Sequence, residues 1–399
     1  MTRIVHVIAE FSAKEAMGRT ITETAARVPG EHYLLAAHIH DGAAAFAGAV
    51  EVGGPMETFP MGRSAQLGAA LTALRPDVVH LHGGALAPLL AAGSPIREHA
   101  HVITMYAWPR LPQVRQLRAA GLGPAWRSNV VRPRVAATTA LTPGVVHAAL
   151  RRAGTSVVLT PDPEVSRRLS LGRPGWLPPG RRQRRSRRQD TPVVRLSSGA
   201  PEDERRAVAD REKPVIVFAG RAESVRGVDT LIDAFPQVLE HVPGATLKLL
   251  LIPRPELGSL VDRVAAAGIA ERVTIVTDPV PDLLAELAGA QVGAWPFKFD
   301  YTTSPPAMAI AEALSVGLPT VATQVGCVRA VIEPDVNGLT VPPGDAPALA
   351  TALLRLITDA DLWQRLAAAG PATTRRLSWS RAAEATDAAY RRALGASAS

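Results

Sequence analysis

The sequence is poor in several things, and each scarcity removes a class of protein. It holds one cysteine, Cys327, in 399 residues, so it can form neither an internal disulfide nor a thiolate metal cluster, and Cys327 reads as a small packed residue. No run of about 18 apolar residues occurs, and the opening "MTRIVHVIAEF" is too short and too interrupted for a signal peptide or a membrane span. That predicts a soluble, cytoplasmic protein. Aromatic residues make up 4% of the chain, and only Trp176 stands near the most basic segment, which argues against the stacking platforms of a nucleic-acid reader. Lysine is scarce as well: four of the 44 basic residues are Lys, an arginine bias expected of a GC-rich bacterium.

What is present is globular. Hydrophobic residues at 47% and charged residues at 20% fit large cores, and the length suits two domains of about 150 to 200 residues. The net charge of +8 is local, because setting aside the nine arginines between Arg167 and Arg188 leaves 35 basic against 36 acidic residues. This segment, 167–188, is read as a basic loop; its densest run, Arg181 to Arg188, lies between "PGWLPPG" and "QDTP" with no helical or strand period. Three roles stay open for it: a solvated loop, a contact with anionic headgroups at the inner face of a membrane with Trp176 and Leu177 at the interface, or nucleic-acid binding, the weakest of the three.

Short apolar runs alternate with helical patterns. "RIVHVIAEF", "HYLLAAHI", "DVVHLHGG", "HVITMYAW" and "SVVLTPDP" form one series; "PVIVFAG", "ATLKLLLIP", "RVTIVTDP", "QVGAWPF", "PTVAT" and "LTVPPGD" form a second after an Arg- and Pro-rich break. This rhythm predicts an α/β protein of two doubly wound, parallel-sheet (Rossmann-like) domains facing a cleft, divided at 1–192 and 193–378. Ligands of such sheets bind beyond the carboxyl ends of the strands.

Two stretches there carry chemistry. In "SPPAMAIAEALSVGLPTVATQ", Ser304 is placed to cap a helix with Pro305 and Pro306 in its first turn, running to about Val316 and stopping at Gly317. Glu312 sits inside it among Met308, Ile310 and Ala311. A carboxylate there either pairs within the domain or accepts hydrogen bonds from ligand hydroxyls such as those of a ribose. In "VIVFAGRAESVRGVDTLIDAF", Arg221 and Arg226 flank a turn between a strand and a helix, a fork suited to a diphosphate. His80 and His82 in "HLHGG" share a strand face, but no third ligand is apparent, so no metal is expected there. The "DAD" at Asp359 to Asp361 reads as a turn and helix start. Lys298 and Asp300 are candidates to touch a donor sugar.

"FAGRAESVRGVDTLIDAF", "SPPAMAIAEALSVGLPTVATQVGCVRAVIEPDVNGLTVPPGDAPALATALLRL" and "LSWSRAAEATDAAYRRAL" resemble the carboxyl-terminal domain of the retaining glycosyltransferases of family 4, the group 1 glycosyltransferases of GT-B type fold. The resemblance covers about Pro214 to Leu394 and is looser before it. It implies a metal-independent, hexosyltransferase-type enzyme with no cofactor that moves a sugar from a nucleotide-diphosphate sugar to an unidentified acceptor: a glycan, a lipid-linked molecule or a secondary metabolite. Arg221 and Arg226 would hold the diphosphate and stabilise its charge. Glu312 matches the second Glu of the family's Glu, seven residues, Glu motif and would bind the ribose. Gly18 matches the amino-terminal glycine loop. Ser304 and Met308 complete the expected donor set, His82 and Tyr106 stand on the acceptor side with Tyr106 also a catalytic candidate, and 379–399 resembles the helix that returns to the first domain. Two positions depart from the family: Ser304 replaces the first Glu of the motif, and Tyr106 stands where a His is common. Losing one sugar contact costs about 2 to 4 kcal/mol without closing the route, since the charge stabilisation remains. The alternative is a catalytically impaired nucleotide-sugar-binding homologue or partner subunit.

Overall fold

The computed structural model describes residues 1–54, 59–108, 117, 138–171, 191–197, 199–208, 210–300, 302–303 and 307–397. They fall into two compact units, and from residue 138 onward the chain passes from the first to the second after Gly199 and back after Ser378.

The first unit is a seven-stranded sheet of β1 (Arg3–Phe11), β2 (Glu31–Ile39), β3 (Gly48–Glu51), β4 (Val78–Gly83), β5 (His101–Met105), β6 (Val157–Thr160) and β7 (Val193–Arg195), in the order β3-β2-β1-β4-β5-β6-β7. Every pairing is parallel. Side chains of β1 reach two apolar clusters. Val5 and Val7 join Leu35, Val79, Ile103 and Val158 in one apolar core, while Ile8 and Phe11 pack with Ile21, Leu34 and Phe46 in another. The helix Trp379–Ser397 belongs to this unit and packs on the helix Ala16–Ala25 and on β4, β5 and β6. Its entry is tight: Gly199 has φ +74°, and a Cβ there would lie 1.8 Å from the Trp379 ring.

The second unit has six parallel strands: β8 (Val215–Arg221), β9 (Thr246–Ile252), β10 (Val273–Val276), β11 (Val292–Trp295), β12 (Thr320–Thr323) and β13 (Leu339–Val341), in the order β10-β9-β8-β11-β12-β13. Its single core runs from Ile216, Phe218 and Leu249 to Ile310, Leu314 and Leu353.

Four expectations need correction. The boundary at 192 is too early, because Val193–Arg195 adds β7 to the first sheet, with Val158 opposite Val193. β3 and β7 went unread because "GAVE" and "VVR" are three- or four-residue edge strands with little apolar alternation. Gly18 lies within the helix Ala16–Ala25, not in a loop before it. Arg167 and Arg168 belong to the helix Pro163–Leu171, where both pair with Glu164 (2.7 and 2.8 Å) and Arg168 stacks over Trp108, so the basic loop does not begin at 167. The run Arg181 to Arg188 lies outside the described residues.

Candidate functional site

In the second unit, β8 ends at Arg221 and the chain turns at once. The Ala222 N–H donates to the Ile252 carbonyl (2.9 Å) and the Glu223 N–H to that of Arg221 (2.8 Å). Residues Ser224–Arg226 form a 3-10 turn pinned from the next loop by Glu256, which accepts from both the Ser224 N–H (2.8 Å) and its hydroxyl. Gly227 follows at φ +77°, where a Cβ would stand 1.9 Å from the Pro296 carbonyl oxygen; only glycine meets both the angle and the approach. The helix Val228–His241 then begins directly after Arg226 and Gly227.

This geometry leaves Arg226 in an unusual state. Its side chain is 13% exposed, its guanidinium lies 5.8 Å from the Phe297 ring centre, and its buried Nε finds no hydrogen-bond partner among the described residues. Burial first, and the like charge of Arg221 second, push its pKa down. Glu223, at 3.5 Å from Nε, offsets this only in part. A buried cation with unused donor capacity beside a second cation is a site that favours an anion.

Glu312 lies on the helix Met308–Ser315, 4% exposed. That helix joins β11 to β12, so it starts at the same sheet edge where β8 delivers Arg221. It begins later than expected: Ala307, not Ser304, is its N-cap, and the Ala307 N–H donates to the Cys327 carbonyl (3.3 Å). Ser304 and Pro305 each precede a proline, which disfavours helical backbone. Ser304 itself lies outside the described residues, whereas Met308 is the first helical residue and half-buried. Lys298 does not face solvent: it is 4% exposed and pairs with Asp229 at 2.6 Å. Asp300 accepts from the Gly326 N–H (2.9 Å) and pairs with Arg329 (3.3 Å). Asp359 accepts from the Leu362 N–H at the start of a helix, as read from sequence. A cavity of about 490 Å³ opens beside the end of β12, lined by Thr323, Gln324, Arg329 and Glu333 among others, and none of the expected donor residues lines it.

In the first unit, the structure assembles what one strand's sequence does not show. His6 of β1 stands opposite His80 of β4, and with His82 the three present ligand atoms within 4.8 Å of one another. The third ligand that seemed missing is therefore His6, which a neighbouring strand supplies. All the ring nitrogens are already engaged. His6 Nδ1 meets His82 Nε2 at 3.0 Å, His6 Nε2 meets His32 Nδ1 at 2.9 Å, and His32 Nε2 meets the Val28 carbonyl at 2.9 Å. His82 Nδ1 meets the Tyr106 hydroxyl at 3.1 Å, while His80 bridges Tyr390 and Thr104 at 2.7 Å each. An ion would have to break the His6–His82 bond. Burial pushes His80 down to about 3 and holds His6 and His82 well below the usual imidazole range, with neighbouring histidines adding to it. Tyr106 and Tyr390 are pushed up by burial. The Tyr106 hydroxyl is thus spent inside the unit, and Gly18, whose Cβ would lie 2.0 Å from the Ser12 carbonyl oxygen, lets the loop after β1 close against its helix.

Two parallel-sheet units with a basic fork at a strand end define a class, the GT-B glycosyltransferase fold, and the comparisons agree. A sucrose-phosphate synthase from Thermosynechococcus elongatus superposes with a TM-score of 0.71 at 17% identity, over 99% of this chain and 100% of that one. HepE of Anabaena, solved in complex with UDP and glucose, superposes with 0.67 at 15% identity, over 99% and 100%. Residues 213–359, which lie within the second unit, match the family model "Glycosyl transferases group 1". A D-inositol 3-phosphate glycosyltransferase from Nocardia farcinica is 29% identical over 226 residues, 55% of this chain and 47% of that protein. The chain spans about half the length of the curated relatives it matches. Among the described residues no helix is long and apolar enough to cross a membrane.

Proposed function

We propose that the protein transfers a sugar from a nucleotide-diphosphate sugar to an acceptor hydroxyl with retention of anomeric configuration, and that the donor binds the second unit. The observation that carries the reading is Arg226, a buried guanidinium with an unpartnered Nε, held beside Arg221 at the carboxyl end of β8. Arg221 and Arg226 take the diphosphate, and Glu312 accepts from ribose hydroxyls near the same edge. In the reaction the bond from the anomeric carbon to the diphosphate oxygen breaks, its electron pair stays on the diphosphate, and the acceptor oxygen forms the new bond from the same face while its proton passes to that oxygen. The guanidiniums stabilise the charge as it develops, which is the largest catalytic contribution such a site offers and needs no divalent ion. That HepE binds UDP and glucose on a like fold supports a nucleoside-diphosphate donor.

The test is thermal unfolding with UDP, GDP, ADP and TDP, followed by turnover of the matching sugar nucleotides with EDTA present. A nucleotide at about 100 times its dissociation constant stabilises by about 2.7 kcal/mol. One nucleotide should protect the parent and neither Arg221→Ala nor Glu312→Ala. Protection without transfer or donor hydrolysis, across the panel, would leave a binder and refute the enzyme.

A further inference from the structure

Glu223 is the acidic side chain set against Arg226, and its placement is constrained from several sides. Its backbone is extended (φ −128°, ψ 131°), its N–H is tied to Arg221, its carbonyl accepts from the Arg226 N–H (2.9 Å), and the intervening turn is pinned by Glu256. The backbone therefore keeps the carboxylate within reach of the guanidinium three residues on. The pair is nevertheless incomplete: 3.5 Å to Nε is well beyond the roughly 2.7 to 2.9 Å of a charge-assisted hydrogen bond. Glu223 neutralises Arg226 at a distance while leaving its donor unused.

We propose that Glu223 is an internal counter-ion of the donor site, which compensates Arg226 while the site is empty and is displaced from it by the entering diphosphate. The proposal rests on the donor-site reading above. A diphosphate brings oxygens that can span both guanidiniums, so it replaces a loose carboxylate contact with direct hydrogen bonds, at the cost of placing its own charge near Glu223. The carboxylate thereby weakens the grip on the nucleoside diphosphate left after transfer and speeds its release. Only a ligand with enough negative charge repays the displacement, so Glu223 also disfavours neutral occupants of the fork.

The experiment is calorimetric titration of the full chain at low salt with two probes, inorganic pyrophosphate and UDP, on the parent, Glu223→Gln, Glu223→Asp and Arg221→Ala. Glu223→Gln keeps the shape and removes the charge. It should bind both probes about three- to tenfold more tightly, with the gain shrinking as salt rises, and release UDP more slowly. Its own melting temperature without ligand should fall, and Glu223→Asp should lie between it and the parent. Unchanged or weaker binding by Glu223→Gln, with binding by the parent that Arg221→Ala abolishes, overturns the counter-ion while the donor site stands. Weakened binding of UDP with pyrophosphate unaffected would make Glu223 a nucleoside contact and likewise overturn it. Failure of the parent to bind either probe overturns the donor reading and this proposal with it.

Discussion

His6 Nδ1 lies 3.0 Å from His82 Nε2, and the direction of the proton between them is set at the far end of the chain they belong to. The Val28 carbonyl can only accept, so His32 carries its proton on Nε2 and accepts at Nδ1. His6 must then donate from Nε2 and accept at Nδ1, and His82 must donate from Nε2 and accept at Nδ1 from the Tyr106 hydroxyl. One carbonyl thus orients four side chains across β2, β1, β4 and the residue after β5. Nitrogen-15 NMR of labelled histidine should show His6, His32 and His82 all as the neutral Nε2–H tautomer at pH 7; an Nδ1–H signal from any of them would break the chain.

The same cluster gives stability a pH dependence. His6, His80 and His82 are neutral in the folded protein because burial disfavours their charge, whereas the unfolded chain takes up a proton on each near pH 6.5. The unfolded state binds more protons below that value, so stability is full above it and falls as pH drops through the window from about 6.5 toward 3. Each group contributes at most about 1.4 kcal/mol per pH unit. Urea midpoints measured from pH 7.5 to 5.0 should fall steeply below 6.5, and a flat profile there would contradict the neutral cluster.

Tyr106→Phe removes the donor to His82 Nδ1 and leaves that nitrogen buried and unmatched. The expected cost is about 1 to 3 kcal/mol of unfolding free energy. Chemical denaturation measures it directly. Stability equal to the parent would mean the hydroxyl is not part of the chain.

Lys298, buried, and Asp229, partly buried, form a pair that ties the loop after β11 to the first turn of Val228–His241. Breaking it from one side, as in Lys298→Met, should cost about 3 to 5 kcal/mol because the partner is left uncompensated. The double variant Lys298→Met with Asp229→Leu should recover most of that loss. A double variant as unstable as the sum of the singles would show that the two charges act independently.

Gly227→Ala tests the approach of the basic turn to Pro296. With φ at +77° and a Cβ 1.9 Å from a carbonyl oxygen, the turn must move, at a cost of about 1 to 3 kcal/mol from the backbone angle alone. Nucleotide protection in thermal unfolding should be lost along with it, since Arg226 precedes this residue. Retained stability and retained protection would show that the turn tolerates displacement.

Much of this was legible in the sequence, for identifiable reasons. The central strands of both sheets are buried on two faces, so they read as continuous apolar runs, and the glycine and arginine spacing after "VIVFAG" marked the basic turn directly. The edge strands β3 and β7 are too short to carry a period. The start of the helix bearing Glu312 was misplaced because a serine before two prolines looks like a cap until the disfavoured backbone before each proline is counted. His6 and His32 were missed as partners of His80 and His82 because strand order is a tertiary fact: residues 76 and 26 apart meet only once β1 is inserted between β2 and β4. Glu223 and Asp229 were quoted within their motif yet not weighed, since a carboxylate's part in a basic turn depends on distances that spacing does not set.

The placement of Trp379–Ser397 in the first unit bears on the order in which the molecule assembles. The stretch from Ala200 to Ser378 that carries all six strands of the second sheet is continuous in sequence, so that sheet needs no later segment to close. The first sheet differs: its strands are made before Ala200, yet the helix that covers β4, β5 and β6, and the Tyr390 hydroxyl that meets His80, are made only after the whole stretch to Ser378. Until then a polar stripe of histidines and its apolar surroundings stay open to water or to chaperones, so the sheet begun first is covered only after the second sheet has been made.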